Sequence, residues 1–201
     1  MSHQQRRAPM RRLGLVAAIG SIVGLIGAHP ASATMFQRSE AYSGEEHISI
    51  DGFCGLESVS LDVVFSGRVH IREGKGKQDG AFFLHDNYSV LETITNNDTG
   101  KFLTASHDGV NQDIRATRVD GSIFEFVSHE VGQPFVVRDM EGNVVVRDRG
   151  ALTFTYLFDT LGDDVPGGVF IEELDVRVSG PHPVFFLEPG EECPTVLALI
   201  G

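Results

Sequence analysis

The sequence predicts an all-β fold, an antiparallel β-barrel of about eight strands, and three observations support this. Apolar and polar residues alternate with a period of two along most of the chain after residue 45, as in half-buried strands. Short turn signals rich in Gly, Asn and Asp separate these runs, at Asn96–Gly100, Asp108-Gly109, Asp120-Gly121, Glu141–Asn143 and Pro166–Gly168. One cysteine lies near each end of the strand-rich region. A barrel brings its first and last strands together and removes exposed edges, although a two-sheet β-sandwich fits the same pattern.

The first 33 residues have the pattern of an export signal. Four arginines precede an apolar stretch from Leu13 to Ala28. As a helix, these sixteen residues rise about 24 Å, which is short of the roughly 30 Å core of a bilayer. Small residues at Ala31 and Ala33 suit signal peptidase, and we place the cleavage after Ala33. We therefore expect a secreted bacterial protein with no stable membrane span after processing.

The predicted domain organisation is a signal peptide over 1–33, a flexible N-terminal segment over 34–44 and a disulfide-closed β-domain over 45–201. Cys54 and Cys193 are expected to pair, because export carries both into an oxidising compartment. No Cys-x-x-Cys or His-x-x-x-His spacing accompanies them, so a metal site is not predicted. The bridge would bring both ends of the domain together.

The clearest strand pattern runs from Val59 to Ile71, where the odd positions are apolar apart from Gly67. Gly67 predicts a bend, since fifteen or so extended residues would exceed the width of an ordinary domain. No amphipathic stretch of helical length follows the signal. The other predicted strands are 82–95, 102–108, 112–119, 122–131, 134–138, 144–159, 168–179 and 183–188.

Charge excludes one class of partner. Removing residues 1–33 takes away four of the 16 basic residues and none of the 28 acidic ones, which leaves 12 − 28 = −16. Such a field repels nucleic acid and anionic lipid headgroups. We therefore expect no nucleic-acid partner.

Several local features resemble a group of small exported actinobacterial all-β proteins of uncharacterised function. These features are Phe53-Cys54-Gly55, the hairpin from Thr95 to Lys101, the turn from Asp139 to Asn143, the acidic Asp163-Asp164 loop and Cys193. The resemblance covers most of residues 45–198 and implies a signal peptide, one disulfide and an all-β domain. It supplies no catalytic residues. The segment from Pro189 to Glu192 departs from the more Asn/Asp-rich approach to the last cysteine that the resemblance implies.

No catalytic or cofactor motif occurs in the sequence. It contains no Gly-x-Ser-x-Gly elbow, no P-loop and no zinc-protease helix, so no catalytic residue, metal or cofactor is assigned. The acidic loop from Asp159 to Asp164 lacks EF-hand spacing and is interpreted as a solvated loop. If the barrel is hollow, we expect its cavity to be lined by Tyr88, His107, Phe154 and Phe158.

Three functions fit these observations. We prefer a non-catalytic exported module that binds a small apolar ligand or a cell-envelope partner. The alternatives are a cofactor-independent enzyme of the isomerase or cyclase type, with its site inside the barrel, and a structural protein of the envelope surface. Titratable side chains that converge on one interior site would favour the enzyme, and exposed apolar patches would favour the structural protein.

Overall fold

A computed structural model describes residues 37–182 and 190–201. The predicted antiparallel β-barrel is confirmed, with seven strands in the described residues where about eight were expected. The predicted strand at 183–188 and the signal peptide with its cleavage site at Ala33 lie outside these residues. The elements are β1 (Gln37–Asp51), β2 (Ser58–Glu73), β3 (Phe82–Asn96), β4 (Phe102–Asp120), β5 (Ile123–Arg138), β6 (Val144–Asp159), β7 (Val169–Ser179) and the helix α1 (Cys193–Ile200).

The seven strands follow one another in a simple up-and-down order. Antiparallel ladders join each strand to the next along the chain, from β1 to β7. The predicted turns connect them: Gly100 N–H donates to the Asn96 carbonyl in the β3–β4 hairpin. In the β5–β6 hairpin, Asn143 N–H donates to Asp139 Oδ1 at 2.7 Å. The turn chemistry read from the sequence is therefore correct at these hairpins.

The Asp108-Gly109 turn predicted from the sequence is wrong. These residues lie inside β4, so the predicted strands 102–108 and 112–119 are one continuous strand with bulges. The runs 122–131 and 134–138 likewise merge into β5. Gly109 is needed for close packing, because a Cβ there would lie 2.9 Å from the Tyr88 hydroxyl.

Residues 37–44, which belong to the segment 34–44 that was predicted to be flexible, form the first part of β1 (Gln37–Asp51). Its residues pair with β2 along the whole length, from Gln37–Arg72 to Asp51–Ser58. Exposed polar residues dominate this strand, so its alternation is not visible in the sequence. Tyr42, one of its few apolar residues, faces the interior.

The helix α1 was not predicted from the sequence. Its buried Val196 and Ile200 pack on an apolar cluster formed by the start of β2, the end of β3 and the start of β4. Asn96 Nδ2 donates to the Ile200 carbonyl at 2.8 Å, and the predicted Cys54–Cys193 disulfide joins the helix to the chain after β1. The helix therefore covers this end of the barrel. In the described residues, no helix is long and apolar enough to cross a membrane.

Two apolar clusters occupy opposite ends of the strands. The first, which we call the helix-end cluster, contains Val59, Leu61, Val63, Ile94, Leu103, Ala105, Val137, Val196 and Ile200. The second, the phenylalanine cluster, contains Ala81, Phe83, Ala116, Phe124 and Phe126. Phe83 and Phe126 meet edge to face with their centroids 6.1 Å apart. The middle of the barrel lies between these clusters.

A row of glycines crosses the middle of the sheet. The ladders place Tyr42 opposite Gly67, Gly67 opposite Tyr88, and Tyr88 opposite Gly109. The row continues from Gly109 to Gly132 and from Gly132 to Gly150. Residues opposite one another in a ladder share a face, so these positions all lie on the inner face. Both ladders of β2 run through Gly67 without a register shift, and the predicted bend there remains a prediction.

Candidate functional site: an acid–phenol layer inside the barrel

Between the two apolar clusters, the inner face carries a layer of carboxyl and phenol groups. We call it the acid–phenol layer, and its members are Tyr42, Asp86, Tyr88, Asp113, Glu130 and Tyr156. Each phenol donates a hydrogen bond to a carboxylate two strands away. The glycine row and one serine provide the space for these contacts.

The first contact joins β1 to β3 across Gly67. Tyr42 Oη donates to Asp86 Oδ2 at 2.8 Å. A Cβ at Gly67 would lie 2.3 Å from the Tyr42 ring, so only glycine allows the ring to pass over β2. We call this arrangement a Tyr–Gly–acid bridge.

The second bridge repeats the first, shifted by two strands. Tyr88 on β3 passes over Gly109 on β4 and donates to Glu130 on β5. In the first bridge, Gly67 lies opposite Tyr88, and Asp86 lies two residues before Tyr88 on the same strand. In the second bridge, Gly109 lies opposite Gly132, and Glu130 lies two residues before Gly132. The two bridges therefore have the same local geometry.

A third contact runs in the opposite direction along the sheet. Tyr156 Oη on β6 donates to Asp113 Oδ1 on β4 at 3.0 Å. Ser128, on the intervening β5, donates to the same carboxylate oxygen. The other oxygen of Asp113 accepts the Leu84 backbone N–H at 2.8 Å. The Asp113 carboxylate is therefore fully engaged.

Burial is the main influence on protonation in this layer. It raises the pKa of Tyr42, Tyr88 and Tyr156, and the neighbouring carboxylates raise them further, so the three phenols remain protonated donors. Burial also raises the pKa of Asp86 and Asp113, although the hydrogen bonds that their carboxylates accept oppose this shift. The layer thus combines protonated phenol donors with two carboxyl groups, Asp86 and Asp113, whose protonated form is favoured by burial.

Asp86 is the member whose hydrogen bonding is incomplete. The residue is only 8% exposed. Its Oδ2 accepts from Tyr42, but its Oδ1 is buried and has no hydrogen-bond partner among the described residues. An unpaired buried carboxyl oxygen is costly, and such an atom is unusual in a folded protein. Among the described residues, Asp86 Oδ1 is therefore the buried carboxyl oxygen of this layer that lacks a hydrogen bond.

The residues predicted to line a cavity all lie on the inner face. Tyr88 is a member of the acid–phenol layer, and Phe154 lies opposite Ser128 in the ladder. The His107 ring lies 5.1 Å from Phe135, and its Nε2 is 3.3 Å from Glu92 Oε2. Phe158 packs on the phenylalanine cluster, edge to face with Phe126. Their contact with a ligand remains a prediction.

Sequence reasoning missed Tyr42, Asp86, Asp113, Glu130 and Tyr156. A signal for two of the contacts is present in the sequence: a tyrosine on one strand, a glycine on the next and an acid on the third. It becomes visible only once the register of three strands is known. The adjacent pair His85-Asp86 divides between the two faces, as expected for consecutive residues of a strand.

Among the described residues, the one group of acidic, Cys and His side chains close enough to bind a metal is Cys54, Glu192 and Cys193. Both cysteines are joined in the disulfide, so their sulfurs are not available as thiolates. This group therefore carries no metal assignment.

No family model, curated protein or solved structure matches this chain.

Proposed function

We propose that this chain is an exported, non-catalytic barrel that binds a small amphipathic molecule at the acid–phenol layer. The observation that carries the proposal is the buried Asp86 Oδ1 without a partner. A ligand hydroxyl or ammonium group would satisfy that oxygen. The signal-like N-terminus and the disulfide support the export, because disulfides persist mainly in oxidising compartments.

The sequence suggested an apolar ligand, and the acid–phenol layer refines that hypothesis. Apolar groups at either end of the barrel favour an apolar body, whereas the buried, unpaired Asp86 Oδ1 between them requires one hydrogen-bond donor. A ligand carboxylate would be repelled by Asp86 and Glu130. We therefore expect discrimination by the head group.

Three probes that share an eight-carbon skeleton and differ in their head group test this prediction: octylamine, 1-octanol and octanoate. We expect the first two to raise the melting temperature and octanoate to leave it unchanged. At a hundredfold excess over Kd, binding stabilises by about 2.7 kcal/mol. For a chain of this size, that corresponds to a rise of roughly 5–10 °C.

The variant Asp86→Asn should abolish the response to octylamine, because the amide lacks the charge and presents a donor of its own. Asp51→Asn, which removes an exposed carboxylate at the end of β1, is the matched control and should respond like the wild type. Equal responses to all three probes, or an unchanged response in Asp86→Asn, would refute binding at Asp86.

The enzyme alternative is supported by one observation: two acid–phenol pairs, Tyr42–Asp86 and Tyr88–Glu130, lie on the same inner face. A positioned carboxyl group with a shifted pKa, as Asp86 has, is typical of acid–base catalysis. Such a role requires Asp86 to exchange its proton near neutral pH.

The pH dependence of stability tests this requirement. Because burial raises the Asp86 pKa above its ordinary 3.8, folding favours the protonated carboxyl. Its contribution is therefore present at low pH and is lost as the pH rises from about 4 through the native pKa. We expect urea unfolding of Asp86→Asn to lack this loss. If the difference in the free energy of unfolding between wild type and Asp86→Asn no longer changes above pH 5, Asp86 has lost its proton by that pH. Proton exchange by Asp86 near neutral pH would then be excluded.

A further inference from the structure

A second site lies where β3 and β4 separate. Their ladder begins at the pair His85–Gln112, and the preceding N–H, that of Leu84, donates to the Asp113 side chain at 2.8 Å. A cleft of about 250 Å³ opens there. It is lined by Gln37, His70, Ile71, Arg72, Phe83, Leu84, His85, Gln112 and Asp113.

Three basic side chains, those of His70, Arg72 and His85, line the cleft. The Arg72 guanidinium lies 4.1 Å above the centre of the Phe83 ring, and no described residue forms a salt bridge or hydrogen bond with it. The His70 and His85 rings meet edge to face, with their centroids 6.0 Å apart. His85 Nδ1 is 3.2 Å from Gln112 Oε1. The Phe83 ring therefore supports a guanidinium whose N–H donors remain available.

One acidic group, Asp113, lines the cleft, and it is already engaged, while Asp86 next to His85 interacts with that histidine electrostatically from the inner face. The Asp113 carboxylate accepts hydrogen bonds from Leu84 N–H, Ser128 and Tyr156. Arg72 interacts with it electrostatically but makes no direct ion pair. Asp113 therefore does not take up the donors of the guanidinium.

We propose that this cleft binds a small oxyanion, held by the Arg72 guanidinium and by the imidazoles of His70 and His85. The whole chain has a formal charge of −12, so this concentration of positive groups is local and does not follow from the average charge of the protein. Guanidinium groups bind carboxylate, sulfate and phosphate oxygens through paired hydrogen bonds.

The size of the cleft limits the ligand. Pockets for drug-sized molecules measure roughly 300–1,000 Å³, whereas this cleft is about 250 Å³ and open to solvent. A single anionic group fits better than a large organic molecule. The ligand is therefore either a free inorganic anion or one anionic group of a larger compound.

Sulfate and acetate are suitable probes, at constant ionic strength, with binding followed through the histidine ring resonances in NMR spectra. Sulfate does not titrate between pH 5.5 and 7.5, so a pH effect on its binding belongs to the protein. We expect saturable shifts of the His70 and His85 resonances. Sulfate affinity should fall several-fold across this range, because histidine ordinarily loses its charge near pH 6.5.

Arg72→Gln should weaken sulfate binding by roughly tenfold or more, since hydrogen bonds between charged groups are the strongest in this cleft. Arg68→Gln removes an exposed arginine of the same strand that does not line the cleft, and it should bind as the wild type does. Asp113→Asn should retain most of the pH dependence if the histidines cause it.

Circular dichroism would show whether Arg72→Gln folds, because the substitution also removes the contact with Phe83. If it does not fold, His70→Gln provides the second test and should reduce the pH dependence of binding. A wild type without saturable shifts, an equal loss in Arg68→Gln, or a pH dependence that disappears with Asp113→Asn would overturn the proposal. A response to sulfate but not to acetate would assign the site to tetrahedral anions.

Discussion

Replacing both Cys54 and Cys193 by serine is expected to lower the free energy of unfolding by about 2–5 kcal/mol. The two residues are 139 positions apart, and the chain-entropy relation gives about 5 kcal/mol for a loop of that length. The loss should also loosen α1, whose Val196 and Ile200 complete the helix-end cluster. This helix has only eight residues and depends on its packing for stability.

Urea unfolding followed by far-ultraviolet circular dichroism measures this effect, since the chain has no tryptophan for fluorescence. Wild-type protein treated with a reducing agent provides the control and should match the double serine variant. A loss below about 1 kcal/mol would mean that the contacts of Asn96 and Lys101 with the last residues suffice to anchor the helix.

Replacing Gly150 by alanine should have an effect of similar size, about 3 kcal/mol. This glycine has a φ of +133°, which alanine adopts only under strain. Its new Cβ would also lie 2.0 Å from the Ser179 carbonyl oxygen and 3.0 Å from Gly180 Cα. Both atoms are backbone, so β6 and β7 would have to move apart.

Gly142→Ala is the matched control, because Gly142 also has a positive φ, of +86°, but no atom lies within 4 Å of its Cβ position. It should cost only the conformational strain, about 1 kcal/mol. The free energies of unfolding of both variants, measured by chemical denaturation, separate the cost of the backbone strain from the cost of the steric clash. Equal losses would show that the close approach of β6 and β7 does not depend on Gly150.

Much of the fold was predictable because the central strands β2, β3 and β4 bury residues along one side. The alternation from Val59 to Ile71 and the Asn-rich turn after Asn96 correctly predicted strands and a hairpin. The Asp108-Gly109 pair gave a false turn, since local propensity does not distinguish a reversal from a glycine beneath a tyrosine ring. The helix α1 was not recognised in the sequence because it buries two side chains, Val196 and Ile200. Two buried positions are too few to reveal the hydrophobic period of a helix, about 3.6 residues.

The candidate site was predictable only in part. Tyr88 and His107 were expected to line a cavity if the barrel is hollow, because small ligands commonly bind inside or at the mouth of a barrel. The partners of Tyr88 were not, since Glu130 is 42 residues away and on a different strand. The Tyr42 contact with Asp86, 44 residues apart, likewise depends on pairing that no local pattern encodes.

The Tyr–Gly–acid bridges have a consequence for how the strands find their partners during folding. If β2 slipped by one position against β1, Tyr42 would face Ser66 or Arg68 where it now faces Gly67, and its hydroxyl could not reach Asp86. A mispaired sheet would thus lose a buried hydrogen bond and gain a steric conflict at the same time. The second bridge penalises slippage between β3 and β4 in the same way, so these long strands select one alignment among many that their repetitive polarity would otherwise permit.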